Sequence, residues 1–521
     1  MNAIDLYSGI GGWTLGMKLS GINNVASYEW WHEANQTHNL NFKTNHKEID
    51  IRKINPKDLD YGKEIDFVVG SPPCTQFSFA NKGGNGDIND GLIDIHKFLE
   101  IVQHLNPKYW AMENVPRVAR ILENEIKEGG SLQKFAPLVK HILVVDSADY
   151  GVPQNRKRMI AGNFPLKTFQ SYKSNIEQIT FGEVLESLNK KEVIDPNFGY
   201  KIDRNDVTEL ENEVSLTPQE ERINRDSKTF HPIYNKMSFP DKLNRPSRTV
   251  TATCTRVSRE SIIVEAKKGY RRLNVRERGV IQGFPITYQF YGRTLNAKFK
   301  MIGNAVPPVL TYYIFQSMLE IPPNKVKHPS QSNYYHIAPK FKSKESKLGL
   351  PKRKFPAKRK FMFAVPNLRY GSGVRFELSN NPKSEEIPWS FKFFHGNSKN
   401  IKEIKLNKEI KQVLSPVVNS TKNKIFNESI KEITTRFKSY KPKKLQELWT
   451  STELNTDVFD FLDEVGSHVE KIMNIADFNE IEPSVLLAIT EDDNKKLIEN
   501  YRSILAGMYL LSSLNTKILE K

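Results

Sequence analysis

A chain of 521 residues, 38% hydrophobic and 10% aromatic, is long enough for two or three cores. It contains no run of the ~18 apolar residues that a membrane span requires. Two cysteines, Cys74 and Cys254, are too few for a disulfide framework or a zinc ribbon. A formal net charge of +17 points to a polyanionic partner, nucleic acid first, because lysines and arginines on phosphates release counterions. The first residues run into a strand-like segment without a basic leader and apolar stretch, so a soluble, cytoplasmic protein is expected.

From residue 1 to about 165, short apolar segments at 2–7, 24–28, 65–70, 109–112 and 141–146 read as buried strands. Helix-patterned stretches at 14–20, 93–105 and 132–139 lie between them. This alternation is the mark of an α/β fold, a parallel sheet covered on both faces, with ligands at the carboxyl ends of its strands. The segment 5–12, Asp-Leu-Tyr-Ser-Gly-Ile-Gly-Gly, sets glycines between strand and helix, where backbone can approach a ligand. Any tight turn can look the same. Glu29, at the end of the second strand, can accept ribose hydroxyl protons, and Trp30 beside it can stack on adenine. Alone they are a charged loop residue and a core tryptophan; together they favour an adenosine-containing ligand.

The segment 70–78, Gly-Ser-Pro-Pro-Cys-Thr-Gln-Phe-Ser, follows an apolar strand. Its two prolines hold Cys74 on a rigid loop, and a thiol near a helix N-terminus becomes the reactive thiolate more readily. The usual fate of a cysteine, a small buried hydrophobe, does not account for the prolines. Glu113, opening Glu-Asn-Val-Pro-Arg, also follows a strand, and beside a thiolate it can stay protonated and donate to a ring nitrogen; an ion pair with Arg117 or Arg120 is the plain alternative. The run 154–158, Gln-Asn-Arg-Lys-Arg, offers guanidinium groups for a phosphate or a base carbonyl, although a solvated basic loop looks no different.

Taken in order, these motifs resemble those of the DNA cytosine-5 methyltransferases of bacterial or phage type. The match consists of the Gly-rich turn at 5–12, Pro-Pro-Cys at 72–74, Glu-Asn-Val at 113–115, Gln-x-Arg-x-Arg at 154–158, and Gly-Asn-Ala-Val-Pro at 303–307, with 271–278 and 282–285 similar to the remaining long motif. The resemblance implies a Rossmann-like S-adenosylmethionine-dependent methyltransferase fold. In that fold the catalytic domain spans 1–165 and 271–325, and a small target-recognition domain is inserted at 166–270; the tail lies outside the resemblance and reads as a basic linker at 326–360 and an α+β accessory domain at 361–521. It implies Cys74 attacking C6 of a flipped cytosine, Glu113 on N3 and Arg158 on O2. It implies S-adenosyl-L-methionine held by Tyr7, Gly9, Gly11, Gly12, Glu29, Trp30, Asp50, Ile51, Pro72, Asn304 and Val306, with no metal. Contacts to double-stranded DNA are expected from Ser78, Arg156, Thr251, Arg256 and Arg259, with Arg256 and Arg259 as the candidate readers of guanine. Thr75 departs from the family pattern, which most often has Gln directly after the nucleophile, and Gln76 is displaced by one. Cys254 is expected to be a bystander.

The implied protein is a monomer in a restriction-modification or defence system, beside a cognate restriction endonuclease. An RNA cytosine-5 methyltransferase and a DNA-binding protein without activity are the competing readings. Between Lys340 and Lys360, ten Lys or Arg residues stand against one Glu, which reads as a solvated linker. Beyond it, 361–378 and 389–394 look strand-like, and 401–414, 456–472 and 486–511 look helical. A fused nuclease there would need acidic residues and a lysine around Mg²⁺, for which Glu377, Glu385, Glu386 and Lys392 are the candidates.

Overall fold

The computed structural model describes residues 1–77, 86–229, 237–352, 355–371, 373–397, 400–420, 424–452, 457–475 and 482–520. The chain divides into two units. The first comprises residues 1–216 and 240–350, the second 217–239 and 351–521. The backbone therefore passes between them three times.

Six strands form the sheet of the first unit: β1 (Asn2–Leu6), β2 (Asn23–Tyr28), β3 (Phe67–Gly70), β4 (Tyr109–Asn114), β5 (His141–Asp146) and β6 (Lys157–Gly162), in the order β2-β1-β3-β4-β6-β5. β2, β1, β3 and β4 run parallel, and β6 is antiparallel to both β4 and β5. The period-2 alternation of strands explains why both faces are apolar. Ala3, Phe67, Val69 and Ala111 enter one hydrophobic core, while Ile4, Leu6, Val68, Trp110 and Met112 enter the other. The expected α/β sheet is thus present, with one strand more than expected: β6 lies where a basic loop was read. Helices His32–Phe42 and Arg117–Glu125 are additional, whereas 132–139 holds only a single turn of 3-10 helix at Gln133–Phe135.

Two small hairpins follow, β7 (Glu192–Ile194) with β8 (Lys201–Asp203) and β9 (Ile263–Glu265) with β10 (Tyr270–Arg272). Helices Val275–Ile281, Leu295–Asn304 and Pro308–Met318 return to the sheet unit. The lysine-rich stretch expected to be solvated is instead bound to this unit as far as Leu350. Small and acidic residues take part in the binding together with Lys342, which pairs with Asp206 at 3.2 Å. Ser343 donates to Gln289 Oε1 at 3.1 Å, Glu345 accepts from the Glu209 amide at 2.8 Å, and the Gly349 amide donates to the Asn212 carbonyl at 2.8 Å.

The second unit is an antiparallel sheet of β11 (Met362–Arg369), β12 (Arg375–Asn380), β13 (Trp389–Asn397) and β14 (Asn400–Lys405), in that order, with seven helices after it among the described residues. Ile401 and Ile404 are three apart, which reads as helix, yet pairing with β13 makes this segment a strand. Helix Pro218–Thr229, although carried in the inserted stretch, belongs to this unit. Its Arg222 makes a two-armed ion pair with Asp463, at 2.8 and 3.0 Å, and lies over the Phe459 ring. The nuclease constellation is not assembled: Glu377 is taken by Arg375 at 2.5 Å and Lys392 by Glu403 at 2.9 Å. Among the described residues no group of three His, Cys, Asp or Glu could hold a metal ion, and no helix is long and apolar enough to cross a membrane.

Candidate active site

The carboxyl edge of the first sheet collects most of the residues singled out by sequence. β1 ends in the glycine turn, β2 in Glu29, β3 in the Pro-Pro-Cys loop and β4 in Glu113 and Asn114. Arg158 reaches the same edge because β6 runs the other way, so that its first residues lie beside the last of β4, with Asn114 opposite Met159. Arg158 Nε lies 2.9 Å from Glu113 Oε1, both side chains nearly buried. Cys74 is partly exposed. Burial pushes its thiol up; Arg158 is the largest charge acting against this, Glu113 adds to it, and Arg156 assists the thiolate from further down.

The loop is held from three sides. Asn114 Nδ2 donates to the Pro72 carbonyl at 3.1 Å, and Trp13 Nε1 donates to Ser71 Oγ at 3.0 Å. Gln76 Nε2 donates to Asp90 at 3.0 Å while its Oε1 accepts from the Asp87 amide. Gln76 is therefore tied to the next helix, and Thr75 takes the exposed position. Asn114 is a positioning residue within the Glu-Asn-Val motif. Its place directly after Glu113 is the signal available in the sequence.

The glycines divide their labour. A Cβ on Gly9, at φ +53°, would meet nothing within 4 Å, so the open side of the turn is there. A Cβ on Gly12 would lie 2.1 Å from the Val306 carbonyl, and one on Gly11 would strike Phe42. Gly11 and Gly12 thus serve packing, and Val306 is buried against Gly12. Glu29 Oε2 accepts from the Gly9 amide at 2.9 Å and Oε1 from the Trp31 amide at 2.7 Å. A carboxylate has about four acceptor positions; with the Trp30 amide also bonded to it, one stays open for a ligand. Burial pushes the Glu29 carboxyl up, against these amide bonds. Trp30 is 63% exposed, unusual for so large an apolar side chain. Tyr7 is held by Asp94 at 3.2 to 3.3 Å. Asp50 caps the short turn Ile51–Lys53 by accepting from the Arg52 amide, Ile51 is buried, and Asn304 is exposed.

Two expected DNA contacts must be corrected. Arg156 is 1% exposed, and its guanidinium donates to the carbonyls of Val250, Gly303 and Ala305 at 2.8 to 3.2 Å. Arg256 is likewise buried, donating to the carbonyls of Val214, Ser215 and Gly349. Both hold the protein together in places where no phosphate can reach. Gln154 has the same office, bridging Gln282 at 2.8 Å and the Val250 amide at 2.8 Å. Thr251 and Arg259 are half-buried, the Thr251 hydroxyl donating to the Thr253 carbonyl at 2.9 Å. Ser78 lies outside the described residues. Cys254 is buried beside Ser261, at 3.2 Å.

Residues 1–320 match the profile of the family described as C-5 cytosine-specific DNA methylase. Among curated relatives, the Type II methyltransferase M.FnuDI of Fusobacterium nucleatum is 27% identical over 350 residues, 63% of this chain and 96% of the relative. M.HindV of Haemophilus influenzae is 30% identical over 353 residues, 64% of this chain and 99% of the relative. A prophage-encoded DNA modification methyltransferase of E. coli with a solved structure aligns over 62% of this chain and 99% of its own, at 21% identity and a TM-score of 0.45. With the profile matched over more than half its length, this chain belongs to the C-5 cytosine-specific DNA methylase family and is a DNA cytosine-5 methyltransferase.

Proposed function

We propose that the enzyme methylates C5 of a cytosine flipped out of a specific duplex DNA sequence, through a covalent Cys74–C6 adduct, with S-adenosyl-L-methionine as donor. The observation that carries this reading is the partly exposed Cys74 beside the Glu113–Arg158 pair at one sheet edge. Cytosine shows a carbonyl O2, a ring N3 and an exocyclic amine along one side. Arg158 donates to O2. Glu113 protonates or hydrogen-bonds N3 and accepts from the amine with its other oxygen. Drawing electron density to that side makes C6 electrophilic. The Cys74 thiolate adds there, and the C5–C6 double bond becomes a nucleophilic enamine at C5. After methylation, loss of the C5 proton to a base restores the double bond and expels Cys74 as thiolate.

S-adenosyl-L-methionine would supply an electrophilic methyl group on its sulfonium. The fit rests on the open face of Gly9, the remaining acceptor position of Glu29 and the exposed Trp30 ring, with Asp50 for the adenine amine and Asn304 and Val306 at the methionine end. Within the described residues the DNA-contact candidates are Thr251 and Arg259, with Ser78 kept beside them. The Type II relatives support a restriction-modification setting; a cognate endonuclease as a separate chain and a cytoplasmic monomer complete the proposal.

The test is a covalent trap. Duplex DNA carrying 5-fluorocytosine at the target, incubated with the methyl donor, should give a denaturation-resistant complex, since fluorine blocks the final elimination. Cys74→Ser should form none and should abolish bisulfite-resistant cytosines in a methylation-free host. Marks that survive Cys74→Ser would overturn the mechanism.

A further inference from the structure

In the second unit a cavity of about 660 Å³ is lined by Trp389, Lys392, Lys405, Lys441 and Lys443, with Glu386 and Glu520 also on its wall. We propose that this cleft seats the phosphodiester backbone of the duplex DNA substrate. The inference rests on DNA being the substrate, and not on the covalent mechanism.

Four features of the cleft are costly unless an anion is there. Lys405 stands directly opposite Lys392 in the β13–β14 register, and like charges facing each other across strands repel. Glu403 compensates Lys392 at 2.9 Å and leaves Lys405 exposed, without an ion pair among the described residues. Lys441 is the N-cap of helix Pro442–Thr450, and Lys443 lies in its first turn. A cation at that end opposes the helix dipole, and no side chain caps the first amides, which an anion would satisfy. Trp389 is 1% exposed and its indole N–H has no partner. A buried donor left so is uncommon.

The surrounding sequence favours DNA over a smaller anion. Residues 351–450 hold 23 Lys and Arg against 8 Asp and Glu, while 451–521 hold 6 against 14. The excess covers most of the chain that builds the cleft, Asn515, Leu519 and Glu520 excepted, as an extended polyanion requires. Four lysines outweigh the two glutamates on the wall.

The experiment uses the full-length protein and fluorescence anisotropy on a labelled duplex, with affinity measured across a salt series. Lys405→Gln/Lys441→Gln/Lys443→Gln should reduce the slope of log affinity against log salt by up to about 2.7, at about 0.9 for each phosphate no longer neutralised. Duplex affinity should fall at least tenfold at low salt. Turnover at saturating DNA should stay within about twofold, and the melting temperature should not fall, since cations are removed from a helix N-terminus. Lys441→Gln/Lys443→Gln, which alters only that helix, should give about two-thirds of the slope change. An unchanged slope in either variant overturns the proposal, as does weaker binding with the salt slope intact. Inorganic phosphate that raises the melting temperature of the wild type but not of the triple variant, with equal salt slopes for the two, would assign the cleft to a small anion instead. Binding is read without methyl transfer, so a wild type that forms no covalent trap would leave this result standing.

Discussion

The catalytic edge and the lysine cleft both gather charge, in opposite ways. At the catalytic edge Arg158 and Glu113 are nearly buried and paired at 2.9 Å, and Arg156 behind them is spent on three carbonyls. In the cleft, Lys405, Lys441 and Lys443 are exposed. Buried, paired charges act at short range and change little with salt, whereas solvated charges act through the ion atmosphere. The difference assigns chemistry to the first and attraction of DNA to the second.

That division breaks if a catalytic charge behaves like a cleft charge. Glu113→Gln keeps the shape and removes the transferable proton, so kcat/KM should fall by about 10² to 10⁴. Arg158→Met should cost about 10² to 10³ by removing the donor to O2. Both should leave the salt slope of duplex binding unchanged; a fall approaching about 0.9, the value of a single phosphate, on Arg158→Met would place Arg158 among the phosphate-binding groups. Arg156→Met sharpens the contrast from the other side. It strands the carbonyls of Val250, Gly303 and Ala305, and should lower unfolding free energy by roughly 3 kcal/mol or more, read by urea denaturation. Unchanged stability with weakened DNA binding would return Arg156 to the DNA surface.

Local motifs made Cys74, Glu113 and Arg158 legible, because a nucleophile on a rigid loop and groups at strand ends are properties of short segments. The partners of Arg256 were not, since its guanidinium is used by the carbonyl of Gly349, 93 residues away, and nothing in a turn sequence announces that. β6 was hidden by its own first residues, Lys157 and Arg158, which look like a basic loop until Met159 to Gly162 are seen buried. The same blindness made 340–350 look solvated, because the lysines dominate the composition while the partners of Ser343, Glu345, Gly349 and Lys342 lie far off in sequence. Helix Pro218–Thr229 joins a unit whose remainder lies more than a hundred residues later, a partnership fixed by Arg222 and Asp463 and invisible in either segment alone.

Within the glycine turn a smaller effect separates ligand contact from packing. Gly12→Ala drives a Cβ against the Val306 carbonyl, 2.1 Å away, and should cost about 1–3 kcal/mol of stability by overpacking. Gly9→Ala faces open space and carries only the left-handed backbone cost of about 1–2 kcal/mol. Its main effect should be a raised KM for the methyl donor, visible in initial rates at saturating DNA. If Gly9→Ala leaves that KM unchanged, the cofactor does not lie over the turn.

Beneath the turn lies a buried network whose titration tests the same packing. Thr14 Oγ1 donates to Asp5 Oδ2 at 2.8 Å and meets His38 Nε2 at 3.0 Å, while Asp5 Oδ1 has no partner. Burial pushes the Asp5 carboxyl up to about 8 and the His38 imidazole down to about 3. Asp5 keeps a proton that the unfolded chain releases near 3.8, so its contribution to stability is full below that value and is lost as pH rises towards 8. His38 works the other way: the unfolded chain gains a proton below 6.5, so its contribution grows as pH rises from 3 to 6.5. The two slopes oppose each other in the acidic range, and only the Asp5 loss remains between 6.5 and 8. Asp5→Asn cannot titrate. Urea unfolding should show wild type losing stability relative to this variant as pH rises to about 8, by at most about 1.4 kcal/mol per pH unit, the limit for one proton. The variant alone should gain stability from about pH 4 to 6.5 as the histidine slope is unmasked. Parallel curves for the two proteins would mean that Asp5 is charged in the folded state and that Thr14 and its neighbours solvate it far better than their hydrogen bonds indicate.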